Sequence, residues 1–264
     1  MINIIIRQLR EQRNSIIYYI VGLGLYLWFV SAMFPTIKQI NFEEILSQYP
    51  ESMQGFLGDQ AGSVFTTLEG FLSVEFISAI FLIAMAFYIG SSAGSIIAGR
   101  IEKKIMDFDL SQPLSRIKQV LSYSVVSFAY SALIVTVITI LMFLFSIAYA
   151  DRFNTINTLV FLYYTILFVF AFFGISIFFS SIFRSKLAVI GINLLIVFGS
   201  YIYTSLAGSV DKLKDYKFFS IFYLYDSQQL LLDGVVKWQY ALVLLGIFLV
   251  GTISALLIFN KKDI

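Results

Sequence analysis

Apolar residues along this chain gather in six long stretches separated by more polar segments. Each stretch is near the ~20 residues that a helix needs to cross the hydrocarbon core of a bilayer. They cover approximately 15–35, 70–98, 119–149, 157–180, 187–208 and 239–259. Because no repeat and no segment rich in Pro, Gly or Ser divides them, the pattern predicts one all-α integral membrane domain over residues 1–264, with six transmembrane helices.

Composition supports a lipid environment and excludes several kinds of chemistry. Apolar residues make up 59% of the chain and charged residues 13%, against roughly 45–50% and 25% in soluble domains. The chain has no Cys and no His. Disulfides, thiolate ligands, Ser-His or Cys-His pairs and imidazole proton shuttles are therefore excluded. We expect no catalytic residue, no metal site and no cofactor in this chain.

The distribution of charge predicts the orientation of the six spans. With the N-terminus in the cytoplasm, segments 1–14, 99–118, 181–186 and 260–264 face inward and hold 12 of the 18 basic residues but only five acids. Such a cytoplasmic excess of Lys and Arg is what the positive-inside rule predicts. The sequence therefore predicts a multi-pass protein of the plasma membrane with both termini cytoplasmic.

Segments outside the spans also carry an amphipathic pattern. Residues 1–14 combine apolar and basic positions and predict an interfacial helix, with an ordinary basic flank of the first span as the alternative. The outer loop 36–69 predicts a short helix on the surface, from Phe42, Ile45, Leu46 and Tyr49. The outer segment 218–225 is too short to span and too apolar for water, so we expect a re-entrant or interfacial element before the last span.

The cytoplasmic loop 99–118 is the most informative segment. It reads AGRIEKKIMDFDLSQPLSR from Ala98 to Arg116, and its apolar positions would form one face of a short helix. Glu102 and the ending 113–116 resemble the signature of permease subunits of the type-2 ATP-binding-cassette (ABC) exporter family, in which Glu-x-Gly-Thr precedes leucines and Pro-x-Ser-Arg. Lys104 and Ile105 stand where Gly-Thr is usual. The layout of spans and loops resembles that family over the whole chain.

The resemblance implies two permeases, as two copies or two paralogues, each docked on a separate P-loop ATPase that holds ATP and Mg²⁺. This chain has no phosphate-cradling Gly-x-x-x-x-Gly-Lys-Ser/Thr motif of its own. The loop helix would be a coupling helix that transmits ATPase closure as rigid-body tilting. The coupling residues expected on this basis are Glu102, Lys103, Lys104, Asp107, Phe108, Asp109, Pro113 and Arg116. An ordinary solvated loop is the alternative.

Polar residues within the spans are candidates for a translocation path. Glu75 is an acid inside an apolar run, roughly 9 Å from the outer end of its span at ~1.5 Å per residue, and intramembrane carboxylates are often functional. The fifth span is polar toward its outer end, which adds Asn193, Ser200, Tyr201 and Thr204. A helix-end or packing role is the alternative for Glu75, and packing between subunits is the alternative for the fifth span.

The resemblance implies export of an amphipathic substrate such as a drug, an antimicrobial peptide, a lipid or a glycan-lipid, with membrane lipids and no nucleic acid as further partners. An ion-coupled secondary transporter or channel is the alternative, but it should show broken spans and several intramembrane charges. A membrane enzyme would need acids clustered at one depth, whereas the acids here are scattered.

Overall fold

Long helices dominate the computed structural model, which describes residues 2–40, 65–106, 114–150, 152–209 and 220–262. In chain order the helices are α1 (Ile2–Ile37), α2 (Leu68–Ile96), α3 (Ala98–Glu102), α4 (Arg116–Tyr149), α5 (Thr155–Ile182), α6 (Lys186–Ser209), α7 (Ser227–Leu232) and α8 (Trp238–Lys261). Within the described ranges, α1, α2, α4, α5, α6 and α8 are long and apolar enough to cross a membrane. The predicted fold is confirmed: the protein is an all-α, six-span integral membrane protein.

Side-chain caps explain where several helices begin. The first amides of a helix have no partner within it, and an Asn, Ser, Thr or Asp side chain just before the helix supplies one. Asn154 Oδ1 accepts from the amides of Ile156 at 2.9 Å and Asn157 at 3.4 Å, and so begins α5. Ser115 caps α4 through the amide of Lys118, at 3.4 Å. The sequence therefore encodes these boundaries locally.

The first span runs parallel to the third and antiparallel to the second. Tyr130 of α4 donates to the carbonyl of Leu9 at 2.7 Å, and Trp28 donates to the hydroxyl of Tyr149 at 2.9 Å near the other end of the same pair. Against α2, the ring of Tyr19 lies 5.1 Å from that of Tyr88, and the ring of Phe34, farther along α1, lies 5.7 Å from that of Phe71, near the start of α2. These directions fit six successive crossings. We call the end where α1, α4 and α6 begin the basic end of the bundle.

Two helices, α2 and α5, lie at the centre of the bundle and are more buried than the other spans. Fully buried phenylalanines of these two helices, Phe76, Phe172 and Phe173, form much of the core. Lipid is as apolar as such side chains, so dispersion contacts from close packing hold the spans together more than exclusion from water does. The outer faces of α1, α6 and α8 remain exposed, as lipid-facing helices should.

Residues 2–14 do not form a separate element. They are the first turns of the 36-residue helix α1, and their backbone packs beside α4 through the bond between Tyr130 and Leu9. Because the helix continues without interruption into the first span, the structure favours the basic flank over a distinct surface helix. The surface helix predicted from Phe42, Ile45, Leu46 and Tyr49 lies outside the described residues.

The aromatic segment, residues 220–225, lies near the end of the bundle opposite the basic end. The carbonyl of Lys237, just before α8, accepts from Tyr164 of the parallel helix α5 at 2.8 Å, and the following Trp238 is 67% exposed, as an interfacial anchor would be. The ring of Phe222 is 6.3 Å from that of Phe168. Phe168 is four residues beyond Tyr164, or about 6 Å deeper. The segment therefore reaches about one helical turn farther into the bundle than the level of Lys237.

Candidate functional site

Glu102 ends α3 and caps a different helix. Its Oε2 accepts from the backbone amide of Lys186, the first residue of α6, at 2.8 Å, and its Oε1 accepts from Ser185 Oγ at 3.4 Å. The start of a helix carries unpaired amides and a partial positive charge, and a carboxylate satisfies both. The predicted coupling glutamate thus joins the basic ends of the second and fifth spans.

Arg116 makes the corresponding contact at the other end of loop 99–118, which we call the coupling loop after its predicted role. As the first residue of α4, it donates through Nη1 to the carbonyls of Lys262 at 2.7 Å and Phe259 at 3.3 Å. Its guanidinium carbon lies 5.8 Å from the centre of the Phe259 ring. The last carbonyls of a helix lack partners within it and attract cations. Arg116 therefore joins the start of the third span to the end of the sixth.

Lys262 extends this connection to a third helix. Its Nζ donates to the carbonyls of Ser181 at 2.8 Å and Ile182 at 3.1 Å, which end α5. Burial, with a smaller contribution from the nearby Arg184, lowers the pKa of the Lys262 amine below its ordinary value. The basic ends of α4, α5 and α8 are consequently linked through two side chains.

The coupling loop is thus attached at both ends, through Glu102 and Arg116. Lys103 and Lys104 are exposed, and Lys104 has a φ of 55°, the left-handed conformation that ends α3. The amide of Ile105 then donates back to the carbonyl of Arg100 at 3.0 Å. The predicted contacts Asp107, Phe108, Asp109 and Pro113 lie outside the described residues.

Of the residues predicted for a translocation path, Tyr201 and Thr204 lie together on a cavity. This cavity has a volume of about 460 Å³ and lies between α2, α6, the aromatic segment and α7. We call it the outer cavity, because it lies at the end of the bundle opposite the basic end. Thr204 shares a hydrogen bond of 2.7 Å with Ser220, and Ser220 also donates to the carbonyl of Ser200 at 3.2 Å. Ser200 therefore supports the wall of the cavity through its backbone.

Asn193 is placed away from that cavity, inside the bundle. Its side chain is fully buried, accepts from Ser176 Oγ at 2.6 Å and donates to the carbonyl of Val189 at 2.7 Å. A Cβ on Gly90 would lie 3.1 Å from the Asn193 amide nitrogen, so the two helices touch there. Asn193 consequently connects α2, α5 and α6 within one protomer.

Glu75 is also separate from the outer cavity. It is partly buried and lines a second cavity of about 340 Å³ between α1 and α2, among Tyr26, Phe29 and Met33. The structure thus does not bring Glu75 and Asn193 to the cavity that Tyr201 and Thr204 share.

Sequence reasoning missed Ser73 and Ser78, which both line the outer cavity. They lie five residues apart, a spacing that places side chains on different faces of an α-helix. In the structure Ser73–Phe81 is a π-helical stretch of α2, and Ser78 Oγ donates to the carbonyl of Ser73 at 2.8 Å. The wider π-turn brings both hydroxyls to one face, and such stretches often occur at functional sites. A pair of serines five residues apart in an apolar run was the available signal.

The lining of the outer cavity mixes aromatic rings with polar groups. Its other members include Phe222, Tyr223, Tyr225, Asp226, Gln228, Gln229 and Lys237. Tyr225 is held by a hydrogen bond of 2.8 Å to Thr165, and burial raises the pKa of its hydroxyl. A wall of this kind can contact apolar groups and polar groups of one ligand. The residues of this cavity offer no set of metal ligands, and no such group occurs elsewhere in the described ranges.

Six spans, an attached loop and a cavity suit a membrane transporter, and a comparison of the sequence with known families identifies the family. A family model described as ABC-2 family transporter protein matches residues 23–264. The chain belongs to the ABC-2 transporter family. No curated protein and no solved structure matched the chain in the corresponding searches.

Membership of the ABC-2 family settles the general class of this protein. An ABC-2 permease is the membrane component of a transporter and not an enzyme, since ATP hydrolysis belongs to a separate ATPase. The six spans and the family therefore agree on a multi-pass membrane permease. The resemblance recognised in the loop that contains Glu102 is confirmed.

Proposed function

We propose that this ABC-2 permease is the membrane half of an ATP-driven exporter. Its basic end faces the cytoplasm, and a separate P-loop ATPase, which holds ATP and Mg²⁺, docks on the coupling loop. A second permease copy or a paralogue completes the assembly. The charge distribution supports this orientation, because 12 of the 18 basic residues belong to segments at the basic end.

The attachment of the coupling loop to two other spans is the observation that carries the proposal. A force that the ATPase applies to the coupling loop is transmitted to α2 and α4 through the covalent chain. It also reaches α6 through Glu102 and α8 through Arg116. Hydrogen bonds to charged groups are stronger than those between neutral groups, so these helix ends would move with the loop.

This geometry divides the predicted coupling residues into two roles. Lys103 and Lys104 are exposed and unattached to other helices, so they contact the ATPase, together with Asp107, Phe108, Asp109 and Pro113 of the loop. Glu102 and Arg116 do not need to touch the ATPase. They position the loop and transmit its movement as rigid-body tilting of the spans.

The substrate is amphipathic, and the outer cavity is where it leaves the bundle. The aromatic rings of Tyr201 and Phe222 suit an acyl chain or a hydrophobic drug or peptide, and Thr204, Ser78 and Asp226 suit its polar groups. Because the aromatic segment lies within about one helical turn of the interface, the cavity can release a substrate to the outer leaflet. Drugs, antimicrobial peptides, lipids and glycan-lipids share this chemistry.

Docking is tested by charge reversal at the exposed lysines. In K103E/K104E, we expect the tagged permease to retain about tenfold less ATPase on purification, because like charges replace favourable contacts at an interface. The matched control is K38E/R152E, which makes the same change of charge at exposed positions of the opposite end. Equal recovery of the ATPase with both double variants would refute docking at this loop.

Transmission of movement from the coupling loop to the spans is tested separately by removing the contacts of Glu102 and Arg116. In reconstituted complexes of Glu102→Ala with Arg116→Ala, we expect ATP hydrolysis to continue while the substrate transported per ATP falls severalfold. The separate variants Glu102→Gln and Arg116→Lys each keep one hydrogen-bonding group and should recover part of the coupling. A double alanine variant that inserts normally and transports with an unchanged ratio would contradict the proposed lever.

A further inference from the structure

A polar cavity at the basic end shares Lys103 with the proposed docking surface, but neither transport nor docking explains its other polar residues. It has a volume of about 330 Å³ and lies between the first turns of α1, the end of α2, α3 and the start of α6. Arg7, Arg100, Lys103 and Lys186 contribute four basic side chains to its wall, and Glu11 and Glu102 contribute two acids. We call it the basic cavity.

Both acids of the basic cavity already have donors from the protein. Glu11 pairs with Arg7 one helical turn away, at 3.3 Å between Oε1 and Nε. Glu102 accepts from the amide of Lys186 and from Ser185. With four basic side chains against two carboxylates, the lining keeps an excess of two positive charges. An excess of this kind favours an anion.

Two glutamines indicate that the ligand also carries hydrogen-bond donors. Gln8 and Gln12 lie four residues apart on one face of α1, and both line the basic cavity. The Oε1 atoms of both are buried without a hydrogen-bond partner, and Gln8 is only 6% exposed. Leaving a buried acceptor without a hydrogen bond is unfavourable. A ligand with hydroxyl groups would satisfy both.

The position of the basic cavity places this chemistry at the lipid headgroups. Gln12 lies three residues before the first apolar stretch at 15–35, or about 5 Å from its beginning along the helix. Ser95 and Gly99, on the opposite wall, lie at the end of the second span. Basic pockets between spans at this depth are suited to anionic lipid headgroups.

We propose that the basic cavity binds the headgroup of an anionic phospholipid that carries hydroxyl groups, of which phosphatidylglycerol is the simplest. The phosphate accepts from Lys103 and Lys186, and the glycerol hydroxyls donate to Gln8 and Gln12. Phosphatidylcholine has a quaternary ammonium group and no hydroxyl donor in its headgroup. Inorganic phosphate brings neither a glycerol group nor acyl chains.

The test is direct binding to the full-length chain, purified in detergent without an ATPase. Short-chain phosphatidylglycerol, short-chain phosphatidylcholine, glycerol 3-phosphate and inorganic phosphate are titrated separately, and bound ligand is counted by native mass spectrometry. We expect phosphatidylglycerol to bind about tenfold more tightly than phosphatidylcholine, and the two soluble phosphates to bind still more weakly. Because no partner is needed, failure here is distinguishable from failure of the exporter assignment.

Two pairs of variants locate the ligand. Gln12→Glu hardly changes the side-chain volume but adds a negative charge to the cavity. It should weaken the binding of phosphatidylglycerol by about tenfold. Its control, Asn14→Asp, adds the same charge at an exposed position about 200° away around α1. Lys103→Gln should weaken binding in the same way, whereas Lys118→Gln, also exposed and at the same end, should not.

Three results would overturn the proposal. The first is equal binding of phosphatidylglycerol and phosphatidylcholine, and the second is equal loss in each variant and its control. The third is binding of glycerol 3-phosphate or inorganic phosphate as tight as that of the lipid, which would indicate a site for a soluble phosphate. Lys103→Gln tests an exposed position and so gives a result even if Gln12→Glu does not fold.

Discussion

The contact between α5 and α8 gives the sharpest quantitative prediction, because two glycines let the helix backbones touch. A Cβ on Gly174 would lie 2.8 Å from both the Cα and the carbonyl oxygen of Phe248. Ordinary contacts between carbon atoms are about 3.5–4.0 Å. Gly174→Ala therefore requires the two helices to separate by roughly 0.7–1.2 Å. A Cβ on Gly251 would meet the carbonyl of Gly174 from the other side.

Separation of these helices is resisted by the rings around them. Phe248 lies 5.2 Å from Phe128 and 5.9 Å from Phe170 between ring centres, and Phe128 is 4.4 Å from Phe173. A shift of α8 would disturb this cluster, which joins α4, α5 and α8. Overpacking of this kind costs about 1–3 kcal/mol.

Gly246 provides a matched control on α8 itself. A Cβ there would have no atom within 4 Å. Gly246→Ala should therefore change the stability only through its higher helix propensity, a gain of up to about 1 kcal/mol. The predicted quantity is the difference: Gly174→Ala and Gly251→Ala should each be about 1–3 kcal/mol less stable than Gly246→Ala. Combining the two destabilising changes should cost less than their sum, because both act on one contact.

The assay is reversible unfolding in mixed micelles, with helix content followed by circular dichroism for all variants in one detergent. A difference of 1.4 kcal/mol changes the unfolding equilibrium about tenfold, which is readily measured. If the free energy of unfolding is the same for Gly174→Ala, Gly251→Ala and Gly246→Ala, the backbone contact between α5 and α8 does not exist as described.

Three further variants test the buried hydrogen bonds and the outer cavity. Asn193→Ala should cost about 1–3 kcal/mol in the same unfolding assay and leave substrate preference unchanged, since the residue connects helices inside the protomer. Tyr225→Phe removes the bond to Thr165 and should cost about 1 kcal/mol, whereas Tyr18→Phe, at a position 74% exposed, should cost nothing measurable. Tyr201→Ala should reduce transport severalfold in reconstituted vesicles while Tyr18→Ala does not. Unchanged transport with the Tyr201 variant would remove the outer cavity from the path.

The six spans could be predicted from the sequence because the bilayer imposes a minimum apolar length that few other structures need. Their ends were less predictable. The stretch expected at 15–35 belongs to a helix that begins at Ile2, and the one expected at 119–149 begins at Arg116. Hydropathy marks where charge begins, but a helix continues into water as long as caps and packing support it.

At the coupling loop, the sequence could not predict which residues Glu102 and Arg116 contact, because these are tertiary contacts. Glu102 and Arg116 were recognisable from the motif, but their partners are 84 and 146 residues away. No spacing rule connects such positions, and the expectation that both face a partner protein followed from the family resemblance alone. In the structure both contact other helices, which supports the positioning role proposed for them.

The candidate translocation path was also only partly predictable from the sequence. Polar residues in an apolar run predict either packing or a passage, and only their surroundings distinguish the two. Asn193 has its hydrogen bonds inside the bundle, whereas Tyr201 and Thr204 lie on a cavity. Ser73 and Ser78 were missed because a π-helical stretch changes which positions share a face.

Co-purification from native membranes tests the central claim most directly. A tagged copy of this chain should bring down a P-loop ATPase in equimolar ratio, and the reconstituted complex should move an amphipathic substrate only when ATP is hydrolysed. A chain that purifies without an ATPase and transports in response to an ion gradient alone would contradict the account.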